Sequence, residues 1–246
     1  MTIQPHDDEN IGDILRTEGM EICGENILVR TLKWARSKCS NIPPLQMCLK
    51  KEYPTGSGVG AGSGNAAALL WWLNTNYGLD IENGPVSQIG ADVPFLAGKA
   101  DLAIVGGLGE KMEPLAGTPD LKWLLVFPRW RSDTSSAYME IDRSRKNNKT
   151  EHRYEGCRED ILAIFEKLSS KEKIGLLHND FLEALSKKHS EYRAAFDIAE
   201  KSGSLAWGLS GSGSALFMIF MDSFSLNNAK QFLEREEWII KTTELE

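Results

Sequence analysis

Cysteine and histidine are scarce in this chain, with four of each among 246 residues. Cys23, Cys39, Cys48 and Cys157 stand at spacings that match no zinc or redox motif, so neither a metal centre nor a disulfide scaffold is expected. They read as reduced thiols of a cytoplasmic protein. Long apolar runs are missing too. The longest uncharged one, Ala66–Leu73, falls far short of the ~20 residues that span a bilayer. The first ten residues are polar and acidic and hold no apolar segment of a signal peptide. No basic excess exists either: 28 Lys+Arg against 35 Asp+Glu leave a net charge of −7. That balance argues against nucleic acid as a partner and leaves room for a local nucleotide pocket. Membrane partners are likewise not expected. What is present, 41% hydrophobic and 26% charged residues, is the composition of a globular protein. The length allows one large domain or two small ones.

Residues 1–20 show no clear period. Glu25–Lys38 fits an amphipathic helix with Ile27, Leu28, Thr31, Leu32 and Ala35 on one stripe. Leu45–Leu49 alternates as a half-buried strand does, and Asn65–Tyr77 reads as a helix stopped by Gly78. Strands are expected at 100–105, 121–127, 205–209, 215–221 and 238–241. Helices are expected at 133–141, 158–168, 179–188, 191–201 and 226–234. The polar stretch Asp142–Gly156 reads as a solvated loop. Elements mix without regular βαβ alternation, which points to an α+β fold. A change of texture near residues 115–120 suggests a domain boundary.

The segment Pro54-Thr55-Gly56-Ser57-Gly58-Val59-Gly60-Ala61-Gly62-Ser63-Gly64-Asn65-Ala66-Ala67 places glycine at five alternate positions between a strand and a helix. Such a loop lets backbone N–H groups turn inward, and the following helix adds free N–H groups and a partial positive charge. Together they make an anion site suited to phosphate. A P-loop is excluded, because Asn65-Ala66 follows the last glycine instead of Lys-Ser/Thr. A dinucleotide fingerprint fits only marginally through Gly56, Gly58 and Ala61, and no acidic ribose partner falls into place.

This loop resembles the phosphate loop of the GHMP kinases, the galacto-, homoserine, mevalonate and phosphomevalonate kinases. The Asn-Ala-Ala ending and Gly90-Ala91-Asp92-Val93-Pro94-Phe95 resemble the subfamily acting on 4-diphosphocytidyl-2-C-methyl-D-erythritol. Gly106–Leu115, Asn179-Asp180-Phe181-Leu182-Glu183 and the glycine loop Leu209-Ser210-Gly211-Ser212-Gly213-Ser214 resemble further segments in the same order. The resemblance implies a ribosomal-protein-S5-like N-terminal domain over 1–117 and a ferredoxin-like C-terminal domain over 118–246. It implies ATP with Mg²⁺, the ATP phosphates lying on Pro54, Thr55, Gly56, Ser57, Gly58, Val59, Gly60, Ala61, Gly62, Ser63 and Gly64. It implies a small-molecule cytidine diphosphate substrate, phosphorylated on the 2-hydroxyl of its methylerythritol, and Asp92 as the catalytic base. Held between Ala91 and Val93-Pro94, that carboxylate is expected in a fixed, partly dry place. Ser63 is expected to touch phosphate or Mg²⁺, to cap the helix, or both. Ser210, Gly211, Ser212 and Gly213 are expected to close over phosphate or substrate. Glu25-Asn26 matches a stretch near the adenine, or is simply a helix N-terminus. A monomer or weak homodimer is expected.

The sequence departs from that pattern in two places. Ala61 and Gly64 stand where the subfamily has Gly and Ser, so Ala61 requires a negative φ. The N-terminal strand motif Pro-Ala-Lys-x-Asn and the Tyr-His pair that reads the base are not found. The N-terminal sheet is therefore expected to lack its first strands and expose an edge, and the chain to be several tens of residues short, through an internal start or as a truncated nucleotide-binding relative with little or no activity. Another GHMP small-molecule kinase is the other alternative.

Overall fold

The computed structural model describes residues 1–6, 11–19, 24–54, 56–81, 84–130, 132, 134–147, 158–236 and 238–243. The chain divides into two compact units. One holds Met1–Thr55 and Gly60–Ala116; the other holds Gly56–Val59 and Gly117–Glu246. Each has its own core.

The first unit is built on a three-stranded sheet. β1 (Thr2–Pro5) and β2 (Ile14–Glu18) flank β3 (Leu45–Lys50), antiparallel and parallel respectively. Residues 1–20, which show no clear period in the sequence, thus supply two strands. Neither shows a period because each is a short edge strand, where only alternate side chains such as Ile3 and Leu15 reach the core. Leu45, Met47 and Leu49 of β3 are buried against α1 (Ile27–Lys38) and α2 (Ala61–Tyr77). Asn26 caps α1, its Oδ1 accepting from the Leu28 N–H at 3.0 Å.

α2 is apolar on most of its circumference, with Ala66, Ala67, Leu69, Leu70 and Leu73 buried, as a central helix must be. It ends at Gly78 in the left-handed conformation, whose N–H donates to the Asn74 carbonyl at 2.9 Å. Its start is corrected from Asn65 to Ala61. Glycines suggest loop locally, but the first bond of the helix, Gly64 N–H to Gly60 O at 2.8 Å, already includes them. α3 (Val93–Ala97) packs on α2, and β4 (Ala103–Gly106) pairs with β5 (Lys111–Pro114), a strand with too little alternation to be read in advance.

The second unit contains β6 (Lys122–Phe127), α4 (Thr134–Asn147), α5 (Arg158–Ser169), β7 (Gly175–Leu176), α6 (Leu182–Lys188) and α7 (Glu191–Lys201). β8 (Ala206–Leu209), β9 (Leu216–Phe220), α8 (Ser223–Arg235) and β10 (Ile239–Thr243) complete it. The sheet order is β10-β6-β9-β8-β7. Leaving aside the two-residue β7, this is the split βαβ arrangement of a ferredoxin-like fold. Leu216, Met218 and Phe220 of β9 pack with α7 and α8, while Ile219 packs with Leu205 and Ala206 on the other face. The solvated loop expected from Asp142 is corrected in part, since α4 runs to Asn147; residues 148–157 lie outside the described residues. Cys39 and Cys48 are free thiols, and Cys23 and Cys157 lie outside the described residues. Among the described residues, no helix is long and apolar enough to cross a membrane.

Candidate active site

The glycine segment divides between the two units. Residues 56–59 belong to the second, where they lie on the loop after β8. The Ser210 hydroxyl donates to the Gly58 carbonyl at 3.0 Å, and the Ala215 N–H donates to the Ser57 carbonyl at 2.9 Å. Gly58 has φ +78°, and a Cβ built on it would lie 2.0 Å from the Ser210 carbonyl oxygen. Only glycine allows that approach. Ser57 is buried, and Ser132 donates to the Ser212 carbonyl at 3.2 Å. Ser210, Gly211, Ser212 and Gly213 are therefore brought together with Gly56–Val59. Thr55 lies outside the described residues; Pro54 is half-buried just before it.

The 210–213 loop is braced from behind. The Asn179 amide donates to the Leu209 carbonyl at 3.1 Å and to the Gly211 carbonyl at 2.9 Å, while its Oδ1 accepts from the Phe181 N–H at 2.8 Å. Tyr192, buried, donates to the Ser214 carbonyl at 3.0 Å, and burial pushes its phenol far above the ordinary value. The sequence marked Asn179 only as part of a resembling stretch, and nothing in it marked Ser132 or Tyr192.

In the first unit, Gly60 takes the left-handed conformation and opens α2. Ala61 follows as a helical residue with negative φ, so its departure from the family pattern costs nothing sterically. The N–H groups of Ala61, Gly62 and Ser63 precede the first intrahelical bond and point out of the helix end. Ser63 does not cap α2: that position is Gly60, and Ser63 sits in the first turn facing Gly90, its Oγ 3.7 Å from a Cβ built there. Asp92 stands beside the same turn, its Oδ2 4.0 Å from a Cβ built on Gly60. The expectation of a partly dry Asp92 is corrected. Ala91 and Asp92 are exposed while Val93 is buried, because the turn puts only Val93 on the core side. The carboxylate makes no capping bond to α3. Behind it, Gly109 (φ +95°) lies against the Ala91 carbonyl, which a Cβ would approach to 1.8 Å.

No group of three or more His, Cys, Asp or Glu among the described residues could hold a metal ion. A cavity of about 890 Å³ lies toward the C-terminal end of α2, lined by Trp71, Asn74, Lys99 and Glu110 among others. None of the expected site residues lines it.

The family model for the GHMP kinases N terminal domain matches residues 26–106, and that for GHMP kinases C terminal matches residues 161–240. A 4-diphosphocytidyl-2-C-methyl-D-erythritol kinase of Sulfurihydrogenibium sp. is 30% identical over 199 residues, covering 79% of this chain and 70% of the relative. The enzyme of the same name from Pseudothermotoga lettingae is 28% identical over 229 residues, 90% of this chain and 81% of its own. In structure, a crystallised 4-(cytidine 5'-diphospho)-2C-methyl-D-erythritol kinase superposes with a TM-score of 0.73 at 24% identity, covering 98% of this chain and 83% of that one. A homoserine kinase from Cytophaga hutchinsonii gives 0.65 at 14%, again over 98% of this chain and 83% of the other. These two show a common fold. With both halves matched in order and a relative at this identity and coverage, the chain belongs to the GHMP kinase family.

Proposed function

We propose that the protein transfers the γ-phosphoryl group of ATP to the 2-hydroxyl of 4-diphosphocytidyl-2-C-methyl-D-erythritol, a step of isoprenoid precursor synthesis, with Asp92 as the base. One observation carries the site assignment: the only carboxylate of the Gly90–Phe95 turn stands beside the N-terminal turn of α2, where three N–H groups are free. The relatives' shared name supports the substrate.

Phosphoryl transfer asks the protein mainly for positioning and charge neutralisation. The N–H groups of Ala61, Gly62 and Ser63, with the partial positive charge of a 17-residue helix, bind and orient phosphate oxygens. Asp92, solvent-exposed and free of any capping bond, is open to a substrate hydroxyl. It accepts the hydroxyl proton as the oxygen bonds to the γ-phosphorus and the β–γ bridging P–O bond breaks. Mg²⁺ suits a site of this kind, which offers few oxygen ligands: the Ser63 hydroxyl would hold it together with the phosphates, where it would neutralise charge. The soluble partner is then a small cytidine-based molecule.

The test is ATP consumption with this cytidine diphosphate as acceptor, beside homoserine and mevalonate, for the wild type and Asp92→Asn. Turnover confined to the cytidine diphosphate and lost in D92N is expected. Equal turnover by both proteins removes Asp92 from the mechanism, and preference for another alcohol removes the substrate.

A further inference from the structure

Asn179 is placed where no reacting group is needed, yet every polar atom of its side chain is used. It stands just before α6, half-buried, with both amide hydrogens directed at the loop after β8. The two carbonyls it receives, of Leu209 and Gly211, flank Ser210, whose hydroxyl reaches Gly58 at 3.0 Å. Beyond Ser210 the fit is backbone on backbone. A Cβ on Gly211 would lie 2.8 Å from the Gly58 carbonyl oxygen, and one on Gly58 would lie 2.0 Å from that of Ser210. Surfaces that meet through bare backbone have no side chain that can move to absorb an error. The direction of the Leu209 and Gly211 carbonyls therefore decides where residues 56–59 rest.

Only a carboxamide on a one-carbon stem does this. It donates twice from nitrogen and accepts once, from the Phe181 N–H at 2.8 Å. A carboxylate of the same shape keeps the acceptor and turns both donors into repulsion. A glutamine places the amide one carbon too far.

We propose that Asn179 is a positioning residue for nucleotide binding: it holds the 209–213 loop in the shape that seats Gly56–Val59. The inference rests on the kinase reading above, since it takes those residues to face the phosphates. It extends that reading to a residue on a different segment that touches no reacting atom.

The experiment measures MgATP affinity by calorimetry, and KM for ATP in turnover, on the full chain. The proteins are wild type, Asn179→Asp and Leu233→Ala, the last a buried position of α8 that serves as a stability control. N179D is expected to bind MgATP about ten- to a hundredfold more weakly, the effect of losing two hydrogen bonds and setting a charge against both carbonyls. L233A is expected to match wild-type affinity although its melting temperature falls further. Binding by N179D within twofold of wild type overturns the inference and leaves the kinase reading standing. Equal weakening in L233A also overturns it, because the effect is then one of general stability. A wild type that does not bind MgATP overturns the kinase reading, and this inference with it. Should N179D not fold, Asn179→Ala leaves both carbonyls to water without adding charge and carries the same expectations.

Discussion

Two glycines of one segment, Gly58 before α2 and Gly64 within it, should respond to the same substitution with opposite signs. Gly58 has φ +78°, and a Cβ there would meet backbone atoms: the Ser210 oxygen at 2.0 Å and the Gly213 nitrogen and oxygen at 3.0 Å. Placing alanine in the left-handed region costs about 1–2 kcal/mol. Relieving the overlap separates residue 58 from the 210–213 loop and breaks the Ser210–Gly58 hydrogen bond, about another 1 kcal/mol. Gly58→Ala should therefore destabilise by about 2–3 kcal/mol, which lowers the melting temperature by roughly 4–12 °C for a chain of this size. Gly64 lies in the first turns of α2, and a Cβ built on it meets nothing within 4 Å. Gly64→Ala should stabilise by about 0.5–1 kcal/mol, because it removes backbone freedom from the unfolded chain. The assay is thermal unfolding of the two variants beside wild type, followed by MgATP titration. G58A should bind nucleotide poorly, and G64A should bind within about threefold of wild type. A G58A protein that melts with the wild type would show that the loop adjusts freely, and would refute the backbone-contact reasoning. A G64A protein that melts below it would mean that the segment is not helical at that point.

Asp92→Asn should lower kcat by about a hundredfold or more while the melting temperature stays within a degree or two, since the side chain is exposed and caps nothing; parallel loss of both would contradict the assignment. Gly109→Ala should lower both stability and kcat, because its Cβ would displace the Ala91 carbonyl and the turn that carries Asp92; unchanged kinetics would separate that hairpin from the site. Burial pushes the Asp13 carboxyl up, but the Arg36 hydrogen bond, the Leu45 N–H at 2.8 Å and the Arg36 charge outweigh it and hold its pKa below the ordinary value. A depressed carboxylate contributes stability above its unfolded pKa and loses it as pH falls through the folded one. Asp13→Asn should thus cost on the order of 1 kcal/mol at neutral pH, and this difference should shrink below about pH 4. Urea unfolding at pH 7 and pH 3 checks this, and a difference that grows at low pH would reverse the sign.

Much of the fold was legible where one element buries enough of itself to show a period. α2 is one such case, with its buried Ala66, Leu69, Leu70 and Leu73 and its Gly78 stop. β9 is another, since four of its five side chains are buried. β1 and β2 were not legible, because each is paired to β3 from an edge and gives the core only a side chain or two. The alternating glycines set the segment 56–64 apart in the sequence. Its division was invisible, because residues 56–59 take their partners Ser210 and Ala215 from about 150 positions away. The identity of Asp92 came from a resembling stretch. Its exposure did not, because apolar neighbours in sequence say nothing about which side of a turn faces water. Asn179 was hidden for a related reason: a side chain that serves two distant carbonyls looks locally like any asparagine before a helix.

The strand order of the second unit also sets a schedule for synthesis. β6 pairs with β10, Trp123 opposite Thr243 and Phe127 opposite Ile239, so neighbours in the sheet are more than a hundred residues apart in the chain. The first unit takes all its own residues from positions up to 116 and can form its core while translation continues. The second cannot finish its sheet until β10 has emerged, and until then β6 presents the backbone groups along one whole side without a partner. During that interval Lys122–Phe127, five of whose six residues are apolar, is an open edge of the kind that recruits other chains. Refolding of the second unit should accordingly be the slower of the two, limited by closing its longest loop.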